Sequence, residues 1–179
     1  MGLIRRTFSY LSCNLFKKLY VTFVRPHLEY AQAIWSPHLK KHIKSIENVQ
    51  KRATKYVDGL KDLDYPERLR KLELPTLKYR RARGDMIEIF KHFHVYDKSS
   101  ISEKFQPKER ISRKHDFQLH DHKAKDGVRG IQNNSFYYRS VRIWNNLPSK
   151  VVIAKDMNTF KNMLDEYWEN ELWKFNDEE

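Results

Sequence analysis

Cysteine occurs once in the 179 residues, at Cys13. A lone thiol can make neither an intramolecular disulfide nor a cysteine-based zinc site, and its scarcity fits a reducing compartment, so an intracellular location, cytoplasmic or nuclear, is expected. Glycine is nearly as rare, at five residues, and neither a Walker loop nor a Gly-x-Ser-x-Gly elbow is present. Adjacent Asp-Asp pairs are missing too. Two-metal nucleotidyl transfer needs at least two carboxylates converging on a pair of cations, and Asp62-Leu63-Asp64 lies in a turn with nothing near it in sequence to complete such a site. Long apolar runs are also lacking. The stretch from Leu15 to Val24 is interrupted by Lys17 and Lys18 and falls short of the roughly 20 residues that span a bilayer. The first residues have no secretory apolar segment, and Arg6 stands where a myristoylation motif has Ser or Thr. These absences predict a soluble protein with no membrane partner, no cofactor, no metal and no enzymatic activity as it stands.

What the chain has is positive charge. Thirty-five Lys and Arg face 23 Asp and Glu, a formal +12, while 40% apolar and 13% aromatic residues argue against a disordered basic tail. The default partner of a folded, strongly basic protein is a polyanion, although a basic surface also serves solubility. The charge is uneven. Residues 1–60 carry 11 basic and 3 acidic side chains (+8), residues 61–130 carry 18 and 12 (+6), and residues 131–179 carry 6 and 8 (−2).

Apolar periodicity gives a mainly α fold, expected as a helical bundle, then a partly disordered linker with a candidate small β-hairpin, then a C-terminal helical pair. Leu15, Phe16, Leu19, Tyr20, Phe23 and Val24 recur with helical period, and Pro26 is expected to stop that helix. A short helix then runs to Trp35. Ser36-Pro37 offers an N-cap and a first-turn proline for a third helix, whose buried stripe is expected to be Leu39, Ile43, Ile46, Val49, Ala53 and Val57, closed by Gly59. Lys40, Lys41, Lys44, Lys51, Arg52 and Lys55 take much of its remaining surface, opposed by Glu47 alone. A solvated helix face normally mixes signs to gain i,i+4 pairs, so a one-signed face favours phosphate contacts. Lys17, Lys18 and Arg25 lie off the first helix's stripe and extend the basic set.

A short helix is expected over Tyr65–Leu72 and a longer one over Thr76–His94, with Leu77, Met86, Ile89, Phe90 and Phe93 inward. Arg80, Arg81 and Arg83 cluster on the longer helix, and their guanidinium forks suit phosphates and neighbouring carboxylates equally. The stretches Asp116–His122 and Val128–Gln132 flank Asp126-Gly127, a hairpin-favouring pair. His115, His120 and His122 could in principle share a metal, yet without acidic or thiol partners they read as a solvated segment. Asn133 or Asn134 is expected to cap a helix bearing Phe136, Tyr137, Val141 and Trp144. Asp156 is expected to cap a last one bearing Phe160, Met163, Leu164, Tyr167, Trp168 and Leu172. The expected blocks are residues 1–60, 61–96, 97–132 and 133–179.

Several local runs carry a resemblance. Leu19-Tyr20, Val24-Arg25-Pro26-His27-Leu28-Glu29-Tyr30-Ala31 and Trp35-Ser36-Pro37 are followed in order by Glu47-Asn48-Val49-Gln50-Lys51-Arg52-Ala53-Thr54-Lys55 and by Leu74-Pro75-Thr76-Leu77. Then come Tyr79-Arg80-Arg81, Arg83-Gly84-Asp85-Met86, Trp144-Asn145-Asn146-Leu147-Pro148 and Asn158-Thr159-Phe160-Lys161. This ordered series, covering nearly the whole chain, closely resembles the segment beyond the palm in non-LTR, LINE-type, jockey-like retrotransposon reverse transcriptases. The resemblance implies a polymerase thumb in residues 1 to about 60, with the region that follows it downstream, and RNA, DNA or their hybrid as partner through phosphates. The family's aromatic-Ala-Asp-Asp motif has no counterpart here, and no catalytic residue carries over. Because Met1 matches a mid-domain position, the expectation is a truncated frame from a decayed element or a host gene built on its remnant. The rival expectation is a protein-interaction or scaffold module that self-associates or meets a partner through an exposed apolar face at Leu15, Phe16, Tyr20 and Trp35; a relic without function is the third.

Overall fold

The structure, a computed structural model, describes residues 2–94, 117–120 and 134–177. It is mainly helical, and among the described residues no β-strand forms. The helices are α1 (Gly2–Thr7), α2 (Cys13–Leu19), α3 (Arg25–Glu29), α4 (Gln32–Trp35), α5 (Lys40–Ala53), α6 (Tyr65–Leu72), α7 (Leu77–His94), α8 (Phe136–Asn145), α9 (Ser149–Val152) and α10 (Met157–Tyr167). None of them is long and apolar enough to cross a membrane. The chain gathers into two compact units that do not follow single blocks of sequence. The first contains residues 1–32, 37–81 and 170–179, the second residues 33–36 and 82–169.

In the first unit, Ser12 caps α2 by accepting the Leu15 N–H, and the chain continues without a break through a π-helical stretch, Tyr20–Val24, into α3. Pro26 does not stop the helix as the sequence predicts. Its missing N–H and its ring are incompatible with an ordinary α-turn, and the wider π-turn just before it, in which the Arg25 N–H reaches the Tyr20 carbonyl, carries the helix past the proline. The break comes later, at Ala31, whose φ of 50° is left-handed. Phe16 and Tyr20 stack at 5.5 Å and are fully buried with Leu69, Leu72, Leu74, Val57 and Leu60 in one core, and Phe175 packs against it from the C-terminal segment. Asp64 caps α6 through the Glu67 N–H, with Pro66 in the first turn. That helix closes in a Schellman arrangement: the Leu74 N–H reaches the Leu69 carbonyl and the Glu73 N–H that of Arg70, with Glu73 at φ 51°.

α5 departs from expectation at both ends and in its buried face. It begins at Lys40 after extended residues rather than on a Ser36-Pro37 cap, and it ends at Ala53 in a 3₁₀ turn, Thr54–Tyr56, so Gly59 (φ 77°) belongs to the following turn. Leu39 and Val49 are exposed, while Glu47, Gln50, Ala53 and Thr54 are buried.

In the second unit, Met86, Ile89 and Phe90 of α7 are buried, as are Tyr137, Val141 and Trp144 of α8 and Phe160 and Leu164 of α10. Phe90 stacks on Phe160 at 4.2 Å and Phe93 on Trp144 at 5.7 Å. Ser135, not Asn133 or Asn134, is the N-cap of α8. Asp156 caps α10 as expected, accepting the Asn158 and Thr159 N–H groups. The helix stops at Tyr167, so Tyr167 and Leu172 are exposed rather than core. The Trp144-Asn145 pair clamps residues 117–120: Asn145 Oδ1 accepts the Leu119 N–H at 2.9 Å, its Nδ2 donates to the Leu119 carbonyl at 2.8 Å, and Trp144 Nε1 donates to the Phe117 carbonyl at 2.8 Å. Most of the expected hairpin, with His115 and His122, lies outside the described residues; His120 is described and exposed.

Candidate nucleic-acid interface

The charged residues singled out by sequence divide into those held by carboxylates and those left to solvent. Glu29 holds Arg80 by a two-point bridge, Nε to Oε1 at 2.7 Å and a second guanidinium nitrogen to Oε2 at 2.8 Å, and it also lies 3.8 Å from Arg25. Arg81 is buried, and its charge is felt by the Glu47 carboxylate. In the second unit, Asp165 holds Arg83 in the same two-point way at 2.6 and 2.7 Å. Arg139, which sequence reading passed over, bridges Asp85 at 2.8 and 3.0 Å and donates to the Ala33 carbonyl at 2.9 Å. Lys17 pairs with Glu73 and Lys51 lies 3.7 Å from Asp177. For Arg80 and Arg83 of α7, carboxylates rather than solvent-facing space fill the guanidinium forks.

The opposite holds on α5. Lys40, Lys41, Lys44, Arg52 and, just beyond the helix, Lys55 are exposed and form no ion pair among the described residues, and the same is true of Lys18 on α2. From Lys40 to Arg52 the row runs about 18 Å at the helical rise, roughly the axial length of five base pairs.

The helix's one acid does not interrupt that row, because Glu47 is 2% exposed and faces the core. Its Oε1 accepts the Tyr65 hydroxyl at 2.6 Å, and both carboxylate oxygens accept the Leu77 N–H, at 3.2 and 2.9 Å. The carboxylate therefore sits on the N-terminus of α7, where the orphan N–H groups of a helix favour an anion. Gln50 continues the network, donating to Tyr65 Oη and to the Pro75 carbonyl at 3.0 Å each and accepting the Tyr20 hydroxyl at 2.7 Å. Burial raises the pKa of Glu47 above its ordinary value despite these donors and the charge of Arg81, and burial raises Tyr20 and Tyr65 as well. Sequence reading placed Glu47 on the charged face; the only available signal was the equally polar Gln50 one turn away among apolar neighbours.

Two residues named for an exposed apolar face, Phe16 and Tyr20, are fully buried, because they form the first unit's own core. Leu15 is partly buried and packs on that core, while Trp35 is 40% exposed. Among the described residues, no group of three or more His, Cys, Asp or Glu side chains could hold a metal ion. Asp64, part of the carboxylate pair in the 62–64 turn, is committed to capping α6.

No protein-family model, no curated protein and no solved structure matches the chain.

Proposed function

We propose that the first unit holds a nucleic-acid duplex by its phosphates through the exposed cations of α5, in the manner of the thumb of a non-LTR reverse transcriptase. The observation that carries this reading is the burial of Glu47. A helix whose sequence offers one acid against several cations turns that acid into the core and leaves a solvent face of one sign. Such a face forgoes i,i+4 pairs and is repulsive without a polyanion. The ordered local resemblance supports the same use, with an RNA–DNA hybrid, RNA or DNA as the duplex.

The test is binding of a fluorescent RNA–DNA hybrid at a series of salt concentrations. Several phosphate contacts give a log–log slope of several units, and a flat response would end the reading. Replacing Lys40 and Lys44 together by Glu should weaken binding and lower the slope by about two. Because neither side chain is buried or paired, unfolding free energy should stay within roughly 0.5 kcal/mol of wild type.

A further inference from the structure

The C-terminal segment of the first unit lies beside the basic row and brings a carboxylate to it. The segment is pinned at defined points: the Lys174 carbonyl accepts the Thr76 N–H at 2.8 Å, the Trp173 carbonyl accepts the Thr76 hydroxyl at 2.9 Å, and the Trp173 ring lies 5.1 Å from that of Tyr79. Beyond those pins, Asn176 and Asp177 form one wall of an open cleft whose other walls are the end of α5 and the turn at 61–64. Lys51, Lys55 and Lys61 line this cleft together with Asp62 and Asp64. Asp64 is occupied as the α6 cap. Arg68 beneath is spent on neutral oxygens of Leu63, Thr54 and Lys51.

From this geometry we infer that Lys51, Lys55 and Lys61 form a phosphate subsite of the duplex-holding face, and that Asp177 stands in it as an internal competitor. Asp177 Oδ2 is 3.7 Å from Lys51 Nζ, close enough to neutralise the charge and too long for a hydrogen bond, so the pair is a contact that a phosphate oxygen can replace. The Lys51 side chain stays 36% exposed, open to that exchange. Lys55 and Lys61 are exposed and make no ion pair among the described residues. The inference rests on the reading of the first unit as a nucleic-acid holder and adds to it a residue, Lys61, that the resemblance does not single out, and a means by which the chain limits its own affinity.

The experiment compares hybrid-duplex binding at low salt for wild type, Asp177→Asn, the triple variant Lys51→Ala, Lys55→Ala and Lys61→Ala, and that triple variant carrying Asp177→Asn, with thermal melting to confirm that each is folded. Removing the competing carboxylate should tighten binding about two- to five-fold in the wild-type background and leave it unchanged in the lysine-depleted one. Equal affinity of Asp177→Asn and wild type would overturn the inference, as would a gain of the same size in both backgrounds. Lys40→Glu with Lys44→Glu keeps the two failures apart. If that pair weakens binding while Asp177→Asn does nothing, the subsite alone fails; if no variant binds, the reading of the first unit fails with it.

Discussion

Glu47 accepts hydrogen bonds from Tyr65 and Leu77 while buried, so its removal leaves a hydroxyl and a helix-terminal N–H without an acceptor away from water. Glu47→Ala should therefore cost about 2–4 kcal/mol, read as a lower urea midpoint. The carboxyl also gives a pH signature. Its folded-state pKa is raised chiefly by burial, with Asp177 adding to the rise and Tyr65, Leu77 and Arg81 opposing it. A raised pKa means that the contribution to folding is complete below the unfolded-state value, near 4.5, and fades as pH rises through the folded-state value. Glu47→Gln removes that titration. Its stability relative to wild type, followed by urea unfolding, should improve as pH is raised from about 4.5 toward neutrality; a pH-independent difference would show that the carboxyl is not desolvated.

At the scale of elements, helices whose ends carry local chemistry could be read from sequence. Asp156 announces α10, because a side-chain acceptor beside the first turn acts within three residues. Asp64 with Pro66 does the same for α6, although by sequence Asp64 reads only as part of a turn. The course of the chain from α2 to α4 could not be read this way. Pro26 forbids an ordinary α-turn, yet it says nothing about a π-turn that absorbs the defect one residue earlier. The candidate interface divides along the same line. Exposed lysines on α5 follow from that helix's own composition, whereas the partners of Arg80 and Arg83 lie 51 and 82 residues away in sequence. The break after α3 rests on Ala31, an L-residue with a Cβ held at φ 50°. Glycine adopts that conformation without the steric cost, so Ala31→Gly should stabilise the protein by about 1 kcal/mol and raise the melting temperature by roughly 2–4 °C.

Over the whole molecule, the +12 net charge is shared unequally by the two units. The first contains 19 basic and 11 acidic residues (+8), the second 16 and 12 (+4). If net charge alone drew a polyanion, both units would meet it in rough proportion, and every exposed lysine would be partly shielded. If the one-signed face of α5 is what binds, shielding concentrates there, because phosphates gain most where several cations lie within a Debye length of one another. Acetylation of surface lysines, followed by mass spectrometry with and without a hybrid duplex, separates these cases. Lys40, Lys41, Lys44 and Lys55 should lose reactivity several-fold on binding, while Lys150 and Lys155 of the second unit, equally exposed, should keep theirs. Uniform protection would reduce the interaction to bulk electrostatics. Protection of the α5 set that fades as salt rises, in step with the loss of affinity, would tie the footprint to phosphate contacts on that helix.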